Sequence, residues 1–117
     1  MSKNGYIKLS RKLVTGEMWA EPRQFSKAEA WIDLLFLAAF ETTRVVIAGF
    51  EVHLRRGELV ASDGYLTRRW RWSRNKVRLF IKNLQEEGRI TLVQHDLENQ
   101  IGRIIHILKY NQYQGGE

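Results

Sequence analysis

Two helix-start signals, Ser62 and Ser73, stand so close together that the chain between them must make a short helix and a tight turn. Serine suits this position because its hydroxyl accepts a bond from a free amide of the first helical turn. After Ser73, the residues Val77, Phe80, Ile81 and Leu84 recur at i, i+3, i+4 and i+7, which lines them up as one apolar stripe. Gly88 is a natural stop for that helix. Ser62 or Asp63 caps the shorter helix, which runs to about Arg69, and Arg71-Trp72 makes the turn.

Downstream, Ile90 to Val93 and Arg103 to Leu108 are rich in β-branched residues and flank a polar turn, Asp96 to Gly102. That pattern predicts a hairpin. Two short helices joined by a tight turn and followed by a hairpin make a winged helix-turn-helix, an α+β fold. Upstream, Leu9, Leu13 and Val14 have helical spacing and Gly16 ends it, so a short first helix is expected over about 8–15. Ser26-Lys27-Ala28-Glu29 has the form of a capping box and opens a helix to about Phe40. Its apolar residues lie on nearly every side, so a central buried helix is expected. Glu51 to Leu54 and Glu58 to Ala61 flank Arg55-Arg56-Gly57 and read as a further small hairpin, after the β-branched Val45 to Ile47. The expected fold is therefore a three-helix core with an extra N-terminal helix and small β-hairpins. It forms one domain over 1–117, with about 1–22 as an N-terminal extension and 114–117 as a tail.

Composition narrows the function classes. Hydrophobic residues make up 44% and charged residues 27%, which predicts a folded core rather than disorder. There is no cysteine, hence no disulfide, no thiol nucleophile and no cysteine-based zinc site. The longest apolar run, Ala30 to Phe40, is too short for a bilayer and Asp33 interrupts it. The start, MSKNGYIKL, lacks the apolar core of a signal peptide. A cytoplasmic, non-membrane protein is expected. The motifs GxxxxGK[ST], GxGxxG, HExxH and GxSxG are all missing, and the carboxylates are dispersed. The expectation is a protein that is not an enzyme and needs no cofactor. His53, His95 and His106 lack metal-ligand spacing.

The net charge is +6, and it is concentrated. Arg68 to Lys82 holds seven basic residues and no acidic one, while the flanks of residues 55–89 nearly cancel. A basic stretch alone is as often a solvated face as a nucleic-acid contact. Its position on a helix-turn-helix shifts the balance to DNA. With Val77 at zero and ~100° per residue, the apolar stripe centres near zero. Asn75, Leu79 and Lys82 then lie opposite, with Lys76 and Arg78 on the shoulders. Asn75, Lys76, Arg78 and Lys82 are expected to face the major groove, where asparagine pairs with adenine and arginine with guanine. Ser73 and the free amides beside it suit a phosphate. Arg68, Arg69, Arg71 and Arg74 are assigned to phosphates, and Arg103 to the wing. The hairpin tip, His95, Asn99, Gln100 and Arg103, is placed along the backbone or minor groove. Leu79 has two readings, packing against the wing or touching a thymine methyl. Trp70 and Trp72 either stack on bases or fill the core, and core is favoured for at least one.

At this point the chain resembles a family. GYIKLSRKLVTGEMWAEP, AWIDLLFLAAF, LRRGELVAS, SRNKVRLFIKNLQEEGRI and ILKYNQYQ look like the N-terminal winged-helix domain of phage and bacterial replication proteins, the replisome organisers and DnaD-like primosome components. GYIKL and KYNQYQ are the most specific parts. The middle is generic to winged helices, including GntR-like and MarR-like regulators. The resemblance implies a DNA-binding or oligomerising domain that helps load the replicative helicase. A second, C-terminal domain usually follows in that family, and this sequence ends before one, as a fragment or as a stand-alone protein.

Double-stranded DNA is thus the expected partner, with the replicative helicase or other primosome proteins and a homodimer as further expectations. A transcriptional regulator on the same scaffold is one alternative. A protein-interaction adaptor is another, with Trp19, Phe25, Tyr110 and Tyr113 forming an exposed apolar patch. The segment before Pro22 is free to mediate dimerisation in this reading.

Overall fold

A computed structural model describes residues 9–113 of the chain. The expected tail at 114–117, most of GYIKL and the end of KYNQYQ lie outside the described residues. The architecture is α+β, with helices and two small antiparallel sheets. No helix among the described residues is long and apolar enough to cross a membrane.

The N-terminal segment forms two single turns, α1 (Lys12–Thr15) and α2 (Glu17–Ala20), instead of one helix over 8–15. Gly16 separates them in an extended conformation, φ −86° and ψ 166°. This segment is fastened to the body rather than left free. Arg11 donates through Nη2 to the Ala38 carbonyl at 2.9 Å and to the Tyr110 hydroxyl at 2.6 Å.

The capping box forms as expected. The Glu29 amide donates to Ser26 Oγ at 3.1 Å, and the Ser26 amide donates to Glu29 Oε1 at 2.8 Å. The helix they open, α3 (Lys27–Leu37), stops three residues short of Phe40, with Ala38 extended. It is not buried all round. Ala30, Asp33 and Leu34 point inward, whereas Ile32 reaches solvent. Only one face of the helix is fully covered.

Strands β1 (Thr43–Ile47) and β2 (Phe50–Leu54) form a hairpin. Its two-residue turn, Ala48-Gly49, has positive φ at both positions, 51° and 84°, as the twist of a tight hairpin requires. This displaces the expected pairing of Glu51–Leu54 with Glu58–Ala61. Strand β3 (Glu58–Ala61) belongs to the other sheet. Gly57 turns the chain away at φ 87°, and its amide donates to the Ala39 carbonyl at 2.7 Å. A local hairpin loses here to a long-range pairing that buries β3 in the core.

Helices α4 (Asp63–Trp70) and α5 (Arg74–Glu86) are capped by Ser62 and Ser73, each accepting from an amide three residues on. Gly88 ends the region at φ 75°. Strands β4 (Ile90–Val93) and β5 (Arg103–Ile107) pair as expected, but the loop between them is more than a polar turn. It contains a helical turn, α6 (Glu98–Ile101), whose Ile101 is buried. A last turn, α7 (Tyr110–Tyr113), closes the described chain.

The larger sheet runs β3-β5-β4, all antiparallel, with the last strand in the middle. Alternation along its strands divides two cores. Leu59, Ile90, Ile105 and Ile107 face the helices, where Leu66, Trp70, Val77, Ile81 and Leu84 complete the main core. Ile104 and Val60 face the other way, onto Val52 and Leu54 of the β1–β2 hairpin and onto Ile101. The hairpin therefore covers the sheet face that the helices leave open.

Candidate nucleic-acid interface

The apolar stripe of α5 is buried in full: Val77, Phe80, Ile81 and Leu84. Its opposite face is thereby turned to solvent, as the 3.6-residue repeat dictates. Asn75, Arg78, Leu79 and Lys82 are exposed there, and Lys76 is half-exposed. Leu79 is 58% exposed and belongs to neither buried apolar cluster.

Three aromatic rings set the angle between α4 and α5. Trp70, Trp72 and Phe80 meet edge-to-face, with centroids 5.0–5.7 Å apart. Both tryptophans are buried and spend their N–H groups inside, Trp72 on the Phe25 carbonyl at 2.7 Å and Trp70 on Asp33 at 2.8 Å. Neither ring is available to stack on a base. The turn itself is made by Arg71 in the left-handed region, φ 57° and ψ 46°.

The arginines of the basic block divide into held and open. Arg69 is held. It grips the buried Asp33 carboxylate through Nε and Nη2, so two of the donors expected to face a phosphate are turned into the protein. Those bonds raise the Arg69 pKa above the usual arginine value, against the opposing effect of burial. Asp33 also accepts from Trp19 Nε1 at 3.1 Å, so four donors satisfy one wholly buried carboxylate. A lone acid within AWIDLLFLAAF was the sequence signal for such a partner.

Arg103 is also held, at the base of the β4–β5 loop. It pairs with Asp63 Oδ1, and Arg78 Nε donates to Asp63 Oδ2 at 3.0 Å. Burial pulls the Arg103 pKa below the usual arginine value. One carboxylate at the start of α4 thus links α5 to β5. Arg78 remains the more open of the two, with 59% of its side chain exposed against 17% for Arg103. Of the four residues expected at the loop tip, Asn99 and Gln100 are exposed. His95 turns inward, with Nε2 2.9 Å from the Gly102 carbonyl oxygen and Nδ1 accepting from the Leu97 amide at 3.3 Å.

Arg68, Arg71, Arg74, Asn75 and Lys82 are exposed, and among the described residues their side chains bond no other side chain. Two of them converge. A Cβ placed on Gly64 would stand 3.3 Å from Arg68 Nη1 and 3.8 Å from Arg74 Nη2. The two guanidinium groups therefore share the surface over one glycine. Beside them, an open cleft of about 700 Å³ runs between the start of α4, α5 and the β5 end of the loop. Ser73 Oγ is taken up by its cap, and Lys76 Nζ lies 4.4 Å from the centre of the Trp72 ring.

The apolar patch expected of an adaptor does not assemble. Phe25 and Tyr110 are buried, Trp19 is half-buried, and only Tyr113 of the four is exposed, at 43%. Asp33 and Asp63 were not among the expected site residues, yet they decide which arginines are held. Comparison with protein-family models, with curated proteins and with solved structures finds no match to this chain.

Proposed function

We propose that the chain is a winged helix-turn-helix domain that binds double-stranded DNA, in a replication initiator of phage type or a helicase-loading primosome component. Helix α4, the Arg71 turn and α5 form the helix-turn-helix, and β3, β4 and β5 with the α6 loop form the wing. The observation that carries the reading is the solvent face of α5. Arg74, Asn75, Arg78 and Lys82 are exposed together, and Arg68 and Arg71 flank them without bonding another side chain among the described residues. A helix of this kind enters the major groove with its N-terminal half toward the bases. Arg68 and Arg74, meeting over Gly64, supply a place for a backbone phosphate. The replication role comes from the resemblance of GYIKL and KYNQYQ to that family.

The test is a duplex-DNA titration across salt concentrations for the wild type, Arg74→Ala and Lys82→Ala. Wild-type binding should weaken steeply with salt. Loss of a phosphate contact should weaken all sequences alike and reduce the salt slope by about 1. No binding at low salt, or no change in either variant, would overturn the reading. A pull-down with the replicative helicase tests the replication role separately.

A further inference from the structure

We infer that the centre of the α5 face reads A·T base pairs in the major groove, with Asn75 on adenine and Leu79 on a thymine methyl. This rests on the DNA-binding reading above and names what that site recognises. The groups that surround the exposed Leu79 on this basic helix define the chemistry it offers.

Two of the cations beside it have partners within the domain. Arg78 is tied back to Asp63 at 3.0 Å, and Lys76 reaches back over the Trp72 ring at 4.4 Å. Between these cations the outward face carries an exposed amide, Asn75, and an exposed isobutyl group, Leu79, one helical turn apart. Asn75 is exposed and, among the described residues, its side chain is not hydrogen-bonded within the protein, so its donor and acceptor are both available. Leu79 is 58% exposed. Lys82 and Arg74 mark the two ends of the strip with positive charge.

The major groove offers matching chemistry for each group. Adenine presents N7 as an acceptor and its N6 amine as a donor, which one carboxamide satisfies together. Thymine is the DNA base with an apolar group on its groove edge, and a leucine contact removes that methyl from water. A G·C pair would leave both groups poorly served. Protein association is the weaker reading of Leu79, because the apolar group is isolated among amide and cationic side chains with no second exposed apolar residue on α5.

The experiment begins with selection from a random duplex pool by the wild-type protein. The selected duplex is then synthesised with thymine and with uracil, which lacks the methyl group. The expected result is a site containing A·T pairs and about fourfold weaker wild-type binding to the uracil form, per contacted thymine. Leu79→Ala should bind both forms alike, and Asn75→Ala should lose its preference for adenine at one position. Uracil replacement needs no change in the protein, so it holds whatever the variants do to folding. Binding with no selected site, a site without A·T pairs, or equal wild-type affinity for both forms would overturn the inference while leaving DNA binding intact. Absence of any binding at low salt would overturn the DNA-binding reading itself, and the inference with it.

Discussion

Asp33 holds Arg69 by two parallel hydrogen bonds, Nε to Oδ2 at 2.5 Å and Nη2 to Oδ1 at 2.9 Å. The pair joins α3 to α4, and the Trp19 and Trp70 indoles complete it. A planar guanidinium matches a carboxylate in this two-point geometry, and lysine does not. The interaction therefore holds α3 against α4, with Arg69 engaged inside the protein.

Removing one partner of such a pair leaves an uncompensated buried charge, which costs about 3–5 kcal/mol. Asp33→Ala should lose about that much in urea denaturation. Arg69→Ala should lose a comparable amount but keep the wild-type salt slope for DNA in the fraction that is folded. Arg68→Ala should do the opposite, with stability changed by less than about 0.5 kcal/mol and a slope shallower by about 1. A shallower slope for Arg69→Ala would show that Asp33 releases it to DNA.

The parts of this fold that were legible in the sequence are the local ones. Ser26, Ser62 and Ser73 cap their helices because capping joins residues three apart. Val77, Phe80, Ile81 and Leu84 are all buried because helical period alone aligns them. The pairing of β3 with β5 was not legible. Leu59 meets Ile105 from 46 positions away, and a nearer strand, β2, offered the same alternation. The site divides along the same line. The basic face of α5 followed from period, whereas the capture of Arg69 by Asp33 and of Arg103 by Asp63 depends on side chains 36 and 40 positions apart.

Arg71 tests whether the turn keeps a residue for function at some cost to stability. Its left-handed conformation at φ 57° costs an L-residue roughly 1–2 kcal/mol, a strain that glycine escapes. Glycine also loosens the unfolded chain, which offsets part of that gain. Arg71→Gly should therefore leave stability unchanged or raise it by up to about 1 kcal/mol, while weakening DNA binding and flattening its salt dependence. Lower stability with unchanged DNA affinity would assign Arg71 to the fold alone.

Glu29 gives the capping box a pH dependence. The Ser26 amide, and then the Arg23 guanidinium, lower its pKa from the usual 4.5. A carboxyl group whose pKa is lowered on folding stabilises the native state above its unfolded value, and that contribution fades as pH falls through the folded value. Glu29→Gln keeps a capping-box side chain but no charge. The melting temperature of the wild type should exceed that of Glu29→Gln at neutral pH, and the gap should close below about pH 4.5. A gap that stays constant down to pH 3 would remove charge from the account of this cap.

Gly102 and Gly88 share a positive φ, 99° and 75°, but not their surroundings. A Cβ on Gly102 would lie 2.5 Å from the Ser62 nitrogen and 2.8 Å from its Cα, both backbone atoms at the start of α4. No small rotation relieves that contact, because β5 is paired with β3 at this point, Ala61 opposite Arg103. A Cβ on Gly88 meets nothing within 4 Å. Gly88→Ala should cost only the left-handed backbone, about 1 kcal/mol in denaturant melts. Gly102→Ala adds a backbone collision to that strain and should cost at least ~2 kcal/mol more. It should also move the loop base off Ser62 and so disturb the Asp63 link to Arg78 and Arg103, which weakens DNA binding beyond the loss of folded protein. Equal costs for the two substitutions would mean that β5 and α4 separate easily, and that the wing is not held at a set distance from α5.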